Sequence, residues 1–258
     1  MPRLGLGLGH GRRRPFDGGG VSLPVAATPL IWLQEDLGVT VDTDSPSDSV
    51  SAWANQGSLG GNFFEADKAE QPRYPSADTI RFQDTGPFRL AASMAKSTYR
   101  CLHDGTGGTV LMRFQRLNTT SLGNCVLFSS NDASSSKVGA TVYYASATGV
   151  LTWRVTDGSS FRINSVSGAV ANDTAAHTLV CRYSLAEATD WSWQIDGSVI
   201  QTGNAASPAT GDSTTDLTLG DWAVGTGPLE ADVGLFIVWD SYLSDADVAL
   251  METYAGGY

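Results

Sequence analysis

The sequence predicts an all-β domain, an antiparallel β-sandwich, because short alternating segments follow one another with turn residues between them. Trp191 and Trp193 alternate with polar neighbours, which is the period of two of a half-buried strand. Asp196-Gly197 and Asp157-Gly158 each follow such a segment and are typical of a tight hairpin turn. Val233–Trp239 is apolar almost throughout, as expected for a central strand covered on both faces. Strands without intervening helices favour two packed antiparallel sheets.

One short α-helix is predicted at the C-terminal end of the chain. Ser244 and Asp247 have the spacing of a capping box, in which the hydroxyl accepts a backbone N–H and the carboxylate reaches back. Leu243 and Val248 occupy the two positions of a hydrophobic staple. Gly256-Gly257 then ends the helical pattern. We therefore expect this helix to close an otherwise all-β domain.

Composition and charge exclude several classes of protein. The 258 residues are 41% hydrophobic, which is enough for a core and excludes wholesale disorder. No apolar run approaches the ~20 residues of a membrane helix, so membrane insertion is not expected. The formal net charge of −11 disfavours nucleic-acid binding by the body of the protein. The three cysteines, Cys101, Cys125 and Cys181, are widely spaced and are predicted to be buried thiols.

Residues 1–28 differ from the rest and are predicted to form an extended arm. The first twenty residues contain four arginines and one aspartate, so they carry about +3 and the remainder about −14 (−11 minus +3). A glycine-rich segment has high backbone entropy and no core of its own, and this one is not predicted to be a secretory signal. A solvated tail and nucleic-acid binding by the arginines are the alternatives to anchoring in a partner protein. The predicted anchoring residues are Leu4, Leu6, Leu8, Arg12, Arg13 and Arg14.

The C-terminal half resembles the concanavalin A-like (laminin G-type) lectin and glucanase family. Val233–Tyr242 and the following Leu-Ser-Asp-Ala-Asp-Val resemble the last strand and the helix of that family. Trp193–Gly197 is similar to its strand ending in Val-Asp-Gly, and His177–Val180 to its Trp-His-His-Val strand. The resemblance covers about residues 30–256. It implies a jelly-roll β-sandwich over residues 29–258, preceded by the arm of residues 1–28.

The N-terminal half is similar to a subgroup of this family that occurs in tailed-bacteriophage virion proteins. The matching segments are Leu30–Leu33, Val50–Gly57, Gln71–Tyr74 and Ile80–Phe82, with a departure at Gln34-Glu35, where Asp-Ala is usual. The resemblance implies a non-enzymatic structural protein of the tail, tail fibre or capsid surface, assembled in the host cytoplasm as a homo-oligomer. Its arm would bind other virion proteins, and its sandwich would be displayed toward host-surface polysaccharide. A bacterial surface lectin module is the alternative.

A glycan site in such a domain needs exposed aromatic rings, because the C–H faces of sugars pack on them. Core packing is the alternative for every candidate, since most tryptophans in a sandwich are buried. No cofactor is expected. The candidate residues share an aromatic side chain on or near strand-like segments and are Trp153, Trp191, Trp193, Trp222 and Tyr144.

Two acidic segments have patterns found in catalytic or metal sites. Glu65 and Glu70 lie in a Glu-x-Asp-x-x-Glu pattern that resembles the catalytic strand of retaining glucanases, which makes a glycoside hydrolase of the same fold an alternative. The surrounding lysine, alanines and proline favour a solvated loop. Asp42, Asp44 and Asp48 could supply oxygen ligands for calcium, and a turn-rich polar loop is the alternative.

Overall fold

The computed structural model describes residues 22–42, 48–76, 79–83, 88–117, 123–131, 136–145, 147–169, 173–187, 189–204, 209–222 and 227–257. Within these ranges the chain forms seventeen β-strands, a 3₁₀ helix at Lys96–Leu102 and one α-helix, α1, at Asp245–Ala255. The strands, numbered in chain order, are β1 (Ile31–Gln34), β2 (Val39–Val41), β3 (Val50–Ala54), β4 (Asn62–Phe64), β5 (Arg73–Ser76), β6 (Thr79–Phe82), β7 (Leu90–Ala92), β8 (Gly108–Arg116), β9 (Asn124–Ser129), β10 (Val138–Ala145), β11 (Val150–Asp157), β12 (Phe161–Ala169), β13 (Ala176–Tyr183), β14 (Trp191–Ile195), β15 (Ser198–Gly203), β16 (Thr218–Leu219) and β17 (Ala231–Trp239).

The strands form two sheets, and all pairings between the described strands are antiparallel. The first sheet has the order β15-β14-β13-β8-β17-β6-β5, and β1 also pairs with β17. The second sheet has the order β12-β11-β10-β9-β16-β7-β4-β3-β2. Neighbours such as β8 and β17 are far apart in sequence, as in a jelly-roll-like sandwich. The predicted fold class is therefore confirmed.

The core lies between the two sheets, where the alternation along each strand places the large apolar side chains. On β8, Val110, Met112 and Phe114 belong to this core, whereas Leu111 between them packs on the opposite face of the sheet. On β14, Trp193 belongs to the same core. Burial of one such side chain stabilises the fold by about 1.5–3 kcal/mol, so the alternation determines which face of each strand turns inward.

A second apolar cluster covers the outer face of the first sheet beneath α1. Ile237 and Trp239 of β17 pack there with Val248 and Met251 of the helix. β17 is buried at every position, because the core covers one of its faces and this cluster covers the other. The prediction of a central strand covered on both faces is confirmed.

Residues 23–27 extend the second cluster. Leu23 and Val25 pack against it, and Trp239 Nε1 donates a hydrogen bond to the backbone oxygen of Ala27 at 3.1 Å. The described end of the predicted arm thus lies on the sandwich, because its apolar side chains cover the outer face of the first sheet. Residues 1–21 lie outside the described residues.

The α-helix has the predicted bounds and a modified cap. Ser244 Oγ accepts the backbone N–H of Asp247 at 3.1 Å and donates its own proton to the Asp247 carboxylate at 2.7 Å. The carboxylate therefore bonds the capping hydroxyl, where the predicted capping box has it bond the backbone N–H of Ser244. Leu243 and Val248 are both buried in the second cluster, as the hydrophobic staple predicts.

The two Asp-Gly turns differ from each other. Asp196 and Gly197 have φ values of +48° and +74° and form the predicted tight turn between β14 and β15. Of Asp157 and Gly158, only Gly158 has a positive φ, at +86°, and β12 begins after Ser160. The predicted two-residue turn is wrong here, since the Asp157 carboxylate accepts the N–H of Ser160 at 2.7 Å and holds a longer loop.

The state of the cysteines agrees with the expectation from the sequence. All three cysteines are buried free thiols, and burial raises the pKa of the Cys101 thiol to about 12. No helix formed by the described residues has both the length and the apolar character that crossing a bilayer requires.

Candidate functional site

An open groove of about 430 Å³ lies on the outer face of the first sheet, beside α1. Strands β13, β14 and β15 form its floor, and α1 with the residues just before it forms one wall. We call it the α1–β15 groove. An interior void next to Cys101 has only about 10 Å³, which is room for about one water molecule. The principal side chains that line the groove are Arg182, Ser192, Gln194, Tyr242, Asp245 and Glu252.

The strand register gives the groove its polar floor. Because Trp191 and Trp193 turn into the core, Ser192 and Gln194 between and beyond them turn outward. Arg182 of β13 stands directly opposite Ser192 in the antiparallel ladder. The apolar side of α1 packs on the adjacent part of the same sheet face, so its polar side borders these outward-facing groups.

Arg182 joins the floor of the groove to the start of α1. Its side chain is only 6% exposed. Its Nε donates to Ser192 Oγ at 3.1 Å, and its Nη1 donates to the Leu243 backbone oxygen at 3.0 Å. The same Nη1 donates to Asp245 Oδ1 at 2.7 Å. The guanidinium lies 4.8 Å from the centre of the Tyr242 ring, which adds a cation–π contact.

Glu252 joins the last turns of α1 to the β14–β15 hairpin. Its Oε1 accepts Gln194 Nε2 and the backbone N–H of Gly197, both at 3.0 Å. Nearby, the hydroxyls of Tyr242 and Ser192 are 3.2 Å apart and hydrogen-bonded. The groove therefore presents a carboxylate, an amide, hydroxyls and part of an aromatic ring in positions that the protein itself fixes.

Three of the aromatic residues predicted as a glycan platform lie together in the core. The Trp153 ring is 5.9 Å from the Trp191 ring and 6.3 Å from the Trp193 ring, measured between centroids. All three are at most 8% exposed. All three rings therefore belong to the packed core between the sheets, which was the alternative to a glycan platform.

Tyr144 and Trp222 are also buried. The Tyr144 hydroxyl donates to the Glu230 backbone oxygen at 3.1 Å, inside the core. Trp222 packs edge-on against Tyr143, 5.9 Å away, in a small cluster outside the main core. Tyr242, the aromatic ring that does line the groove, was not predicted. It lies between a strand and a helix, where no strand alternation marks its orientation.

Glu65 and Glu70 bind one arginine. Arg89 Nε is 2.9 Å from Glu65 Oε2, and Arg89 Nη2 is 2.9 Å from Glu70 Oε2. The segment lies in the predicted loop, between β4 and β5. A general acid needs a carboxyl group whose neutral form is favoured. Here one guanidinium instead binds an oxygen of each carboxylate.

Two of the predicted calcium ligands face cations. Asp42 Oδ2 is 3.8 Å from Lys68 Nζ, and Asp48 Oδ1 is 3.1 Å from Arg73 Nη1. Within the described ranges, no group of three or more His, Cys, Asp or Glu side chains is placed to hold a metal ion. The candidates that lie outside the described residues are Asp44 and the anchoring residues Leu4, Leu6, Leu8, Arg12, Arg13 and Arg14.

His177 lies near the start of β13. Its Nδ1 is 2.6 Å from Asp196 Oδ2, and its Nε2 is 2.9 Å from Asp173 Oδ1. The N–H of Ala175 and then the His177 ring lower the pKa of Asp173. The histidine therefore fastens the start of β13 to the β14–β15 turn next to the groove.

Comparison with known proteins identifies the fold. Neither a protein-family model nor a curated protein sequence matches the chain. Solved structures do match. One, on the cell entry of botulinum neurotoxin type C and its dependence on two ganglioside molecules, aligns with a TM-score of 0.63 at 10% identity, over 88% of this chain and 51% of that chain. The botulinum neurotoxin serotype D ligand-binding domain in complex with N-acetylneuraminic acid aligns with a TM-score of 0.62 at 9% identity, over 88% and 51%.

A third match is the binding domain of botulinum neurotoxin DC in complex with rat synaptotagmin II, with a TM-score of 0.58 at 11% identity, over 88% of this chain and 52% of that chain. This chain therefore spans about half the length of the solved domains that it matches. At such low identity the likeness concerns the fold. It supports the assignment of the chain as a jelly-roll-like β-sandwich.

Proposed function

We propose that this protein is a non-enzymatic adhesion module that binds glycans in the α1–β15 groove. The observation that carries the proposal is the groove itself, an open volume of about 430 Å³ on a lectin-like sandwich. This volume falls within the roughly 300–1,000 Å³ of small-molecule sites. Its lining combines one aromatic ring with several oriented polar groups, which is the combination that a sugar ring requires.

The polar groups of the groove are in place before a ligand arrives. Glu252 is fixed by Gln194 and the hairpin backbone, and Arg182 is fixed by Ser192 and the start of α1. Preorganised groups reduce the entropy lost on binding, which matters for a sugar whose individual hydrogen bonds contribute little net free energy. Sugar hydroxyls would bond the carboxylate and amide, and a C–H face would pack on the exposed part of Tyr242.

The structural neighbours support a receptor-binding role. Gangliosides and N-acetylneuraminic acid are the ligands named for two of those neurotoxin domains. Since this chain aligns with only half of each domain, the proposal takes its site from the groove of this chain. The neighbours supply only the general role, a domain that attaches a larger assembly to a cell surface.

A non-enzymatic role also agrees with the environment of the acidic pair. Arg89 binds both Glu65 and Glu70 at 2.9 Å, and neither carboxylate lies in the groove. A glycoside hydrolase needs two carboxyl groups that hold different protonation states across the scissile bond. Hydrolysis by this pair would first require both ion pairs with Arg89 to break.

We also propose that the sandwich is displayed on a bacteriophage particle, with the arm anchored in other virion proteins. The sequence resemblance to phage virion proteins and the contrast between an arm of about +3 and a body of about −14 support this assignment. Leu23 and Val25 lie partly buried on the outer face of the first sheet. Assembly as a homo-oligomer in the host cytoplasm belongs to the same proposal.

Deletion of residues 1–20 tests the anchoring role. The truncated protein should keep the unfolding midpoint of the full chain and fail to enter particles, because the described residues from Ile31 onward form the core between the two sheets. Particles that contain the truncated protein at normal copy number would contradict the anchoring role. A bacterial surface lectin module would bind glycans equally well with or without the arm.

The glycan-binding role is tested by substituting one aromatic side chain in the groove and one on the second sheet. Tyr242→Ala removes the ring that lines the groove and should reduce binding to an immobilised glycan panel at least about tenfold. Phe64→Ala removes a ring that is 44% exposed on the second sheet and should leave binding unchanged. Unfolding midpoints measured for both variants separate loss of the site from loss of the fold. Equal binding by both variants would contradict the assignment of the groove.

A further inference from the structure

We infer that the α1–β15 groove selects uncharged glycans and rejects glycans that carry a carboxylate. The inference rests on the proposed glycan-binding function and adds the class of ligand. It separates this protein from a neighbour whose named ligand, N-acetylneuraminic acid, is an anion. Three features of the groove lead to it: the state of its arginine, the position of its carboxylates and the balance of donors and acceptors.

Two of the three guanidinium nitrogens of the groove arginine are already bonded to the protein. Arg182 is the one cation among the described residues that line the groove. Its Nε is used by Ser192 Oγ, and its Nη1 is used by the Leu243 backbone oxygen and by Asp245 Oδ1. Recognition of a ligand carboxylate by arginine depends on two parallel N–H donors from the guanidinium. Each such pair on Arg182 includes Nε or Nη1, which are already bonded to the protein, and the Tyr242 ring lies 4.8 Å from the guanidinium.

Both carboxylate residues of the groove, Asp245 and Glu252, belong to its lining. Asp245 has a side chain that is 92% exposed, so solvent or a ligand reaches it directly. Glu252 uses Oε1 for two protein donors, the Gln194 amide and the Gly197 N–H. Its Oε2 is 3.6 Å from the point where a Cβ on Gly197 would lie, at the rim formed by the β14–β15 turn. With one arginine and two carboxylates, the lining has a formal charge of −1.

These groups match the hydroxyls of an uncharged sugar. A carboxylate accepts hydrogen bonds and donates none, so it pairs with the O–H donors that a hexose presents on adjacent carbons. A ligand carboxylate brings only further acceptors and a like charge. The net charge of the whole chain, −11, adds a repulsive field that acts over a Debye length of about 10 Å.

The test compares ligands that differ by one carboxylate. A glycan array first identifies the uncharged glycan that the full chain binds most tightly. Calorimetry then compares that glycan with the same glycan carrying a terminal N-acetylneuraminic acid, and methyl glucoside with methyl glucuronide. We expect the anionic member of each pair to bind at least about tenfold more weakly at about 50 mM NaCl, and the difference to shrink at about 500 mM NaCl.

A charge variant locates the selectivity in the groove. Glu252→Gln should lower the affinity for the uncharged glycan by about three- to tenfold, because a hydrogen bond to a neutral acceptor is weaker than one to a carboxylate. It should also reduce the difference in affinity between the uncharged and the anionic glycan of each pair. Asp216→Asn is the matched control, since it removes a carboxylate that is 54% exposed beside the second sheet and far from the groove in the fold.

The possible outcomes distinguish failure of the ligand-charge inference from failure of the proposed glycan-binding function. Tighter binding of the anionic glycan, with Tyr242→Ala reducing it, would overturn the inference and leave a glycan-binding groove in place. Binding of neither member, by a chain whose unfolding midpoint shows that it is folded, would overturn the proposed function and the inference with it. An equal effect of Glu252→Gln and Asp216→Asn would contradict the role of the groove carboxylates.

Discussion

Substitution of Arg182 by methionine tests how the groove is held together. Methionine keeps much of the length of the side chain and removes its charge and donors. The buried Leu243 backbone oxygen loses its charged donor, a loss worth roughly 1.5–3 kcal/mol. The hydrogen bond from Arg182 to the Ser192 hydroxyl is lost as well. The desolvation cost of the buried guanidinium also disappears, which offsets part of this lost free energy. We therefore expect Arg182→Met to lower the free energy of unfolding by about 2 kcal/mol.

Asp245→Asn is the control for this prediction. It removes the other half of the same ion pair, but Asp245 is 92% exposed, so the pair itself contributes only about 0.5 kcal/mol. Urea titration followed by tryptophan fluorescence, with linear extrapolation to zero denaturant, measures both values. The reasoning is refuted if Asp245→Asn costs as much as Arg182→Met, or if Arg182→Met leaves the free energy of unfolding unchanged.

Two further predictions concern backbone and pH. Gly220→Ala should lower the free energy of unfolding by at least about 3 kcal/mol, because φ is +90° and the new Cβ would lie 2.2 Å from Phe82 Cδ1. Gly211→Ala, with φ of +97° and open space around it, should cost only about 1–2 kcal/mol in the same titration. Burial raises the pKa of Asp157, but backbone donors led by the N–H of Ser160 outweigh it and hold that pKa well below its ordinary value. The resulting stability is present above the unfolded pKa of about 3.9 and is lost as the pH falls further. Asp157→Asn should therefore show a smaller change in urea midpoint between pH 5 and pH 2.5 than the unchanged protein, and an equal change would contradict this role.

The fold could be predicted because its signals are local. The alternation at Trp191 and Trp193, the turn at Asp196-Gly197 and the continuous apolar run of β17 each depend on near neighbours in sequence, and each is confirmed. The longer loop after Asp157 could not be predicted in the same way. Its side chain accepts the N–H of a residue three positions later, a bond that competes with the two-residue turn.

The groove could not be predicted because its residues are far apart in the chain. Arg182 and Glu252 come together only when α1 packs over the sheet, and that packing depends on long-range contacts of Val248 and Met251. One local signal was present. An arginine at an outward position, paired in the ladder with Ser192, indicates a polar patch on the outer face of β13 and β14.

The aromatic candidates show the limit of a periodicity argument. A period of two shows that Trp191 and Trp193 share the apolar face of one strand, and it does not say whether that face meets the core or forms an exposed ligand platform. The burial of large apolar area decides this, and it turned the tryptophans inward. Tyr242 could not be predicted in this way, because it lies outside any strand, two residues before the helix cap at Ser244.

Amide chemical-shift mapping of the full chain tests the central claim most directly. The protein is titrated with the uncharged glycan that it binds most tightly on the array. If the groove is the binding site, the largest shifts fall on the backbone of β13–β15 and the start and end of α1, and Tyr242→Ala abolishes them. Shifts confined to the second sheet, or no shifts at saturating glycan, would contradict the assignment of the α1–β15 groove as a glycan-binding site.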